Sequence, residues 1–344
     1  TPALRADPPH KGEGKHREFG GNMRLLPFAL IGLALALAPG SAASAQEWPD
    51  RPVTMIVPFP AGGPADIIAR AIANALSESL GKQFIIDNRA GAGGNIGGAA
   101  VAKAAADGYT LLFTTPAPVS LNKFMYKSLP YDPERDFTPV VLVAKSPLIV
   151  VAKLDFPAKT LGELIAYARQ NPGKVNVGHP GQGTLGHITA ELIQQFAGVQ
   201  MTNVPYRGTT PLTTDLLAGQ IDVGMDFMPT YVPLVDDHKV RALAVTTSQR
   251  TAQLPDVPTV QEAGYKGFEA TAWYAIVAPT GTPKDVVSKV NAAVNAFLKS
   301  DKGKTFLEQN TMQGVGGSPE DLKTFIVGEL AKWGPVIEAA KISM

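Results

Sequence analysis

The stretch Val140-Val141-Leu142-Val143-Ala144-Lys145-Ser146-Pro147-Leu148-Ile149-Val150-Val151 is long, apolar and extended, broken only at Lys145-Ser146-Pro147. A second such run, Trp273-Tyr274-Ala275-Ile276-Val277-Ala278, lies further along. Both read as strands. Between them sits a block with its own alternation of strand and helix signals. The economical reading is a lobe inserted into another lobe through two crossing strands, which together form a hinge. The cleft between such lobes is the default place for a ligand.

The pattern outside the hinge supports this. Residues 53–57 form a short apolar run, and Ile67, Ile68, Ala71, Ile72, Ala75 and Leu76 then recur at helical spacing until Gly81. Residues 84–86 and 109–113 read as the next strands, with a glycine-rich turn and an alanine-rich helix between them. In the middle block, Thr160-Leu161-Gly162-Glu163 is a capping box opening a helix that stops near Asn171-Pro172-Gly173. Residues 175–178, 202–205, 223–225 and 241–246 read as strands, with helices starting near Thr184 and Thr209. After Thr282-Pro283 and Ser318-Pro319 the chain is expected to be helical to its end. Repeated βα units imply an α/β protein with a mostly parallel sheet and helices on both faces. The expected division is a first lobe of residues 46–147 plus 273–344 and an inserted second lobe of residues 148–272.

The chain has 344 residues, no cysteine and a formal net charge of +1. Disulfides, zinc–thiolate sites, iron–sulfur clusters and cysteine nucleophiles are excluded. A near-neutral body offers no electrostatic footprint for nucleic acid or anionic lipid. Met23-Arg24 precedes a short apolar run that ends in Ala43-Ser44-Ala45. This is the pattern of a signal peptide cut after Ala45, so the mature protein is expected outside the cytoplasm, in the periplasm. Met23 is the expected start, and residues 1–22 read as an upstream leader.

Four constellations follow strands. Pro58-Phe59-Pro60-Ala61-Gly62-Gly63-Pro64-Ala65-Asp66 joins a strand to a helix at the carboxyl end of the strand. Gly62 and Gly63 permit close backbone approach, free N–H groups at the helix start favour an anion, and Asp66 complements the helix dipole. Asn88-Arg89-Ala90-Gly91-Ala92-Gly93-Gly94-Asn95-Ile96-Gly97-Gly98 fails the dinucleotide spacing, because Ile96 stands where the third glycine belongs. It reads as close backbone approach to a small ligand or as tight packing. Gly181-Gln182-Gly183-Thr184-Leu185-Gly186-His187 is another strand–turn–helix junction, capped by Thr184, with the Gly183 and Thr184 N–H groups expected to face the cleft. Val204-Pro205-Tyr206-Arg207-Gly208 offers Tyr206 for stacking and Arg207 for charge, and Asp226 follows a later strand. No metal-ligand spacing, P-loop or nucleophile elbow is present, so neither a metal nor a cofactor is implied.

The ordered set of Trp48-Pro49-Asp50-Arg51-Pro52-Val53, Val57-Pro58-Phe59-Pro60-Ala61-Gly62-Gly63, Asn88-Arg89-Ala90-Gly91, Ala106-Asp107-Gly108-Tyr109, Val204-Pro205-Tyr206-Arg207-Gly208 and Ala278-Pro279-Thr280-Gly281-Thr282-Pro283 resembles the substrate-binding proteins of tripartite tricarboxylate transporters, the Bug family. The resemblance covers residues 48–340. It implies a type II periplasmic binding fold, with two βα lobes joined by a two-strand hinge. It also implies capture of a small carboxylate by backbone amides and bridging waters. Carried over, Phe59, Pro60, Ala61, Gly62 and Gly63 with Asp66 form the first-lobe loop. Gly181, Gly183 and Thr184 with His187 form the second. Asn88, Gly91, Gly93, Thr114, Thr115, Ser146, Tyr206, Arg207 and Asp226 would line or support the cleft. The implied partners are a small carboxylate (dicarboxylate, tricarboxylate, amino acid or aromatic acid) and, transiently, the transporter's membrane subunits, with the protein a monomer. A ligand-presenting signalling protein and a periplasmic hydrolase using His187 and Asp66 stand as alternatives.

Overall fold

The computed structural model describes residues 47–344, and the expected leader lies outside them. The chain begins with β1 (Val53–Val57), α1 (Pro64–Leu80), β2 (Phe84–Asn88), α2 (Asn95–Ala102), β3 (Thr110–Thr114) and α3 (Asn122–Met125). β4 (Phe137–Ala152) leads into α4 (Leu161–Gln170), β5 (Asn176–His179), α5 (Leu185–Ala197), β6 (Thr202–Pro205), α6 (Thr209–Leu217), β7 (Val223–Phe227), α7 (Met228–Asp236) and β8 (Arg241–Val245). β9 (Thr271–Pro279) returns to α8 (Lys284–Lys299), α9 (Asp301–Gln309), β10 (Gln313–Gly316) and α10 (Pro319–Ala339).

β4 is the element that makes two lobes from one chain. Its first part, from Phe137 to Pro147, pairs antiparallel with β9. Its second part, from Leu148 to Ala152, pairs with β7 on one side, and Ile149 to Ala152 pair with β8 on the other. The break in apolar sequence at Lys145-Ser146-Pro147 is therefore the passage from one sheet to the other. β9 begins at Thr271, opposite Pro147, and the chain comes into it from the second sheet, where the Ala270 N–H donates to the Thr246 carbonyl at 3.0 Å. In the second sheet the two faces of β4 separate by the period of two that a pleated strand imposes. Leu148, Val150 and Ala152 pack with Ile188 and Phe268, whereas Ile149 and Val151 pack with Leu212 and Tyr231.

The outer strands are parallel as expected: β2, β1 and β3 in the first sheet, and β7, β5 and β6 in the second. The middle is not. β9 runs antiparallel to both β3 and β4, and β4 antiparallel to β7. A chain that leaves a lobe and re-enters it sends its crossing strands in opposite directions, so the expectation of a mostly parallel sheet holds only away from the hinge.

The C-terminal region also departs from the expectation of continuous helix. Gln313–Gly316 forms β10, which pairs antiparallel with β4. α10 then crosses between cores. Leu322, Ile326 and Leu330 pack with Trp273 in the first lobe, and Trp333, Val336 and Ile337 join Leu148 and Ile188 of the second.

Local signals account for the helix ends that matter below. α1 starts with Pro64, whose missing N–H costs nothing at that position, and stops at Gly81 in the left-handed conformation. α5 starts after Thr184, whose hydroxyl accepts the N–H of His187 at 3.4 Å.

Candidate functional site

Two strand-to-helix loops border one cavity of ≈ 670 Å³, one from each lobe. Phe59 to Ala65, from the end of β1 into the first turn of α1, form one side, and Gln182 to Leu185, running into the start of α5, form another.

The first loop is braced from behind by a carboxylate. Asp66, only 2% exposed, accepts the Gly62 N–H at 2.9 Å and Arg70 Nε at 2.8 Å on Oδ2, and Asn88 Nδ2 at 3.0 Å on Oδ1. The same Asn88 Nδ2 donates to the Phe59 carbonyl at 3.0 Å. The Arg70 guanidinium, with help from the Gly62 N–H and Asn88, outweighs the effect of burial and holds the Asp66 carboxyl at about 2. Asp66 is thus a fixed anion that shapes the loop. Gly62 has φ +79, and an added Cβ would meet nothing within 4 Å.

The second loop is braced by histidines. The Gly183 N–H donates to His187 Nδ1 at 3.2 Å, and the Thr184 hydroxyl to the Gly181 carbonyl at 2.7 Å. His179 Nδ1 also lies 3.0 Å from that carbonyl, which makes this nitrogen the protonated one. The two imidazoles stack with ring centroids 4.3 Å apart. Burial, with the neighbouring His187, lowers His179 to about 4, and burial lowers His187 as well. Both rings are neutral at pH 7, as the Gly183 hydrogen bond requires of His187.

These bonds correct the expected source of donors. The N–H groups of Gly62, Gly183 and Thr184 are not open: they go to Asp66, His187 and the Gly181 carbonyl. The open donors lie one step further on. The N–H groups of Ala65 in α1 and of Leu185 and Gly186 in α5 have no acceptor among the described residues. They are first-turn amides, which no helix can satisfy internally and which the helix dipole makes favourable for an anion. Ala65 and Leu185 both line the cavity.

Of the residues singled out from sequence, Phe59, Pro60, Ala61, Gly62, Gly63, Gly93, Thr115, Gly183 and Thr184 line this cavity. Asp66, Asn88, His187 and Gly181 stand behind the two loops as described. Thr114 lies in β3 opposite Ala275, and Ser146 in β4 opposite Ala272, a cavity residue. Asp226 is fully buried at the end of β7, accepting the Phe227 N–H at 2.7 Å. Desolvation pushes its carboxyl up to about 6. Three residues stand apart from the cavity. Gly91 lies against Ile96, Tyr206 donates its hydroxyl to Asp215 at 2.9 Å, and Arg207 is exposed. The glycines that follow Gly93 serve packing, since a Cβ on Gly94, Gly97 or Gly98 would press within 3 Å of Pro118, Pro58 or Tyr131.

Leu121, Asn122, Met125, Phe227, Trp273 and Met344 line the cavity without having been singled out. Most carry ordinary apolar spacing, so their sequence signal is that of core residues. Asn122 holds the glycine turn by donating from Nδ2 to the Gly93 carbonyl at 3.0 Å and to Asn95 Oδ1 at 2.7 Å.

Residues 68–342 match the family described as "Tripartite tricarboxylate transporter family receptor". The chain belongs to this family. Protein BugT of Bordetella pertussis is 38% identical over 315 residues, spanning 90% of this chain and 95% of that protein. Among solved structures, an R. palustris protein with adipate is 41% identical with a TM-score of 0.74, covering 86% of this chain and 100% of that one. MatC from Rhodopseudomonas palustris with bound malate is 35% identical with a TM-score of 0.70, covering 84% and 99%. The fold of this family receptor is the two-lobed periplasmic binding fold, and family members are periplasmic binding receptors. Among the described residues no helix is long and apolar enough to cross a membrane, and no group of three or more His, Asp or Glu is placed to hold a metal ion.

Proposed function

We propose that this family receptor captures a small carboxylate in the cleft and delivers it, in a transient encounter, to the membrane subunits of a tripartite tricarboxylate transporter. The observation that carries the reading is the pairing of two helix N-termini, one per lobe, across one cavity whose lining contains no charged side chain. A carboxylate taken out of water needs several donors. Ala65 and Leu185 offer preformed N–H groups that need no ordering of long side chains, and water bridges complete the shell. Asp66 and His187 act as positioning residues for those loops. The solved relatives with adipate and with malate support an acid as the ligand class.

Residues 46–147 with 273–344 and residues 148–272 would then close on the ligand as two bodies, bending at Lys145-Ser146-Pro147, except that the end of α10 from Trp333 onward would stay with the second body, in whose core it packs. Processing after Ala45 would release a monomer into the periplasm. No feature of the cavity favours turnover: Asp66 is locked in a hydrogen-bonded cluster, and His187 faces an N–H donor. The test is a thermal-shift panel of carboxylates, each paired with its neutral amide. A ligand at a hundred times its Kd raises stability by about 2.7 kcal/mol. Stabilisation by acids and not by their amides is expected, and equal shifts would dismiss the reading.

A further inference from the structure

Resting on that reading, we propose that Tyr274 sets the specificity of the cleft: its hydroxyl, beside that of Thr115, donates to a second oxygen on the ligand, so that acids carrying an oxygen at one fixed distance from the captured carboxylate are preferred. Three tyrosines are buried among the described residues, Tyr131, Tyr231 and Tyr274. A buried tyrosine hydroxyl ordinarily finds a partner. That of Tyr131 donates to the Pro118 carbonyl at 2.7 Å, and that of Tyr231 accepts the Thr213 hydroxyl at 3.3 Å. Tyr274 is 6% exposed and lines the cavity, and its hydroxyl meets no partner among the described residues. Nor is that oxygen sealed in the core, so it opens on the cavity.

Packing alone holds the ring. It stacks on the buried Phe113, with centroids 6.0 Å and planes 20° apart. β3 and β9 run antiparallel with Phe113 opposite Ile276 and Thr114 opposite Ala275, and the same register carried one residue further sets Thr115 beside Tyr274. Thr115 also lines the cavity, and its hydroxyl has no partner among the described residues either. The strand pair thus presents two neighbouring hydroxyls that the fold does not use. Burial pushes the Tyr274 phenol up to about 12, so it stays protonated, and a donor, at neutral pH. A ligand that displaces water from this wall must either accept the bond or leave it unmade, and a site built to bond an oxygen discriminates strongly against an analogue without one. A hydroxyl or a second carboxylate supplies such an oxygen.

Calorimetry decides the matter with the unbranched acids from butanoate to octanoate, each paired with its ω-hydroxy analogue and with the dicarboxylate of the same length. The parent protein is compared with Tyr274→Phe and, as a control on another hydroxyl of the lining, Tyr126→Phe. At one length an oxygenated acid is expected to bind the parent at least about tenfold more tightly than the plain acid. Tyr274→Phe should abolish that gain, leave the affinity of the plain acid unchanged and melt no earlier than the parent without ligand, whereas Tyr126→Phe should keep the gain. Absence of a gain at every length, a gain that survives in Tyr274→Phe, or earlier melting of that variant would overturn the assignment while the carboxylate reading stands. If no acid of any series binds, the carboxylate reading fails and takes this inference with it.

Discussion

The N–H of Gly183 points at Nδ1 of His187, 3.2 Å away, so a buried imidazole fixes the turn that opens α5. The bond needs Nδ1 as an acceptor. Removing it leaves an N–H without a partner beside the cleft, at a cost of about 1–3 kcal/mol. His187→Leu is expected to weaken carboxylate binding by about tenfold. His187→Asn places an oxygen near the same point and should retain most of the affinity. Equal loss in both variants, measured by calorimetry, would show that the ring's bulk matters and the bond does not.

The same bond sets a pH dependence. Burial lowers His187 below the ordinary imidazole value of about 6.5, and lowers His179 to about 4. The unfolded chain binds these protons first, so their neutral forms stabilise the fold fully above about pH 6.5 and progressively less as pH falls toward 4. A protonated His187 also presents a donor to a donor. Ligand affinity should be flat from about pH 8 to 7 and fall in the acid range, and the acid limb should shrink in His187→Asn. An unchanged limb in that variant would move the titration elsewhere.

Gly62 and Gly183 share a left-handed backbone but not their surroundings. Alanine at either costs about 1–2 kcal/mol of stability through the backbone alone. At Gly62 the new methyl meets nothing within 4 Å, whereas at Gly183 it presses on Met125 and Met344. Both variants should melt earlier by similar amounts, since methionines yield. Gly183→Ala should in addition change affinity for apolar acids, as the two side chains are driven along the cavity wall. Matched melting and binding curves separate the effects.

Asp226 pulls stability the other way from the histidines. Its folded value is raised to about 6, so the fold holds a proton that the unfolded chain releases at about 3.9. Its contribution is present below the unfolded value and lost as pH rises through about 6. Asp226→Asn keeps an oxygen for the Phe227 N–H and removes the buried charge. It should raise stability at pH 7 by about 1–3 kcal/mol and flatten the profile between pH 4 and 6. A variant less stable than the parent at pH 7 would contradict this.

The hinge and the two loops were legible in the sequence for physical reasons. An apolar run as long as that of β4 leaves few alternatives to a strand buried in both lobes, and glycine pairs at strand-to-helix junctions announce close backbone approach. β10 was not legible, because Gln313-Gly314-Val315-Gly316 carries two glycines and little β-propensity and owes its form to pairing with β4. The bracing roles were only half visible. Asp66 reads as a helix-dipole partner, and Arg70 stands at i,i+4 from it, but its bond to Asn88, which ties the first loop to β2, is 22 residues away and no local spacing reveals it. The far wall was hidden altogether: Met125 and Trp273 look like core residues, and only the topology brings them to a cavity.

The central claim, that first-turn amides of opposed helices hold the acid, is tested most directly at Leu185. This is the first residue of α5, preceded by Thr184 in an extended conformation (ψ 160) that tolerates a following proline. Leu185→Pro keeps the helix and deletes one N–H, and Leu185→Ala loses the same side-chain packing with the N–H retained. Calorimetry with hexanoate, or with the best acid of the panel, is predicted to give a Kd at least about tenfold weaker for the proline variant than for the alanine one. Equal affinities in the two folded variants would contradict the account.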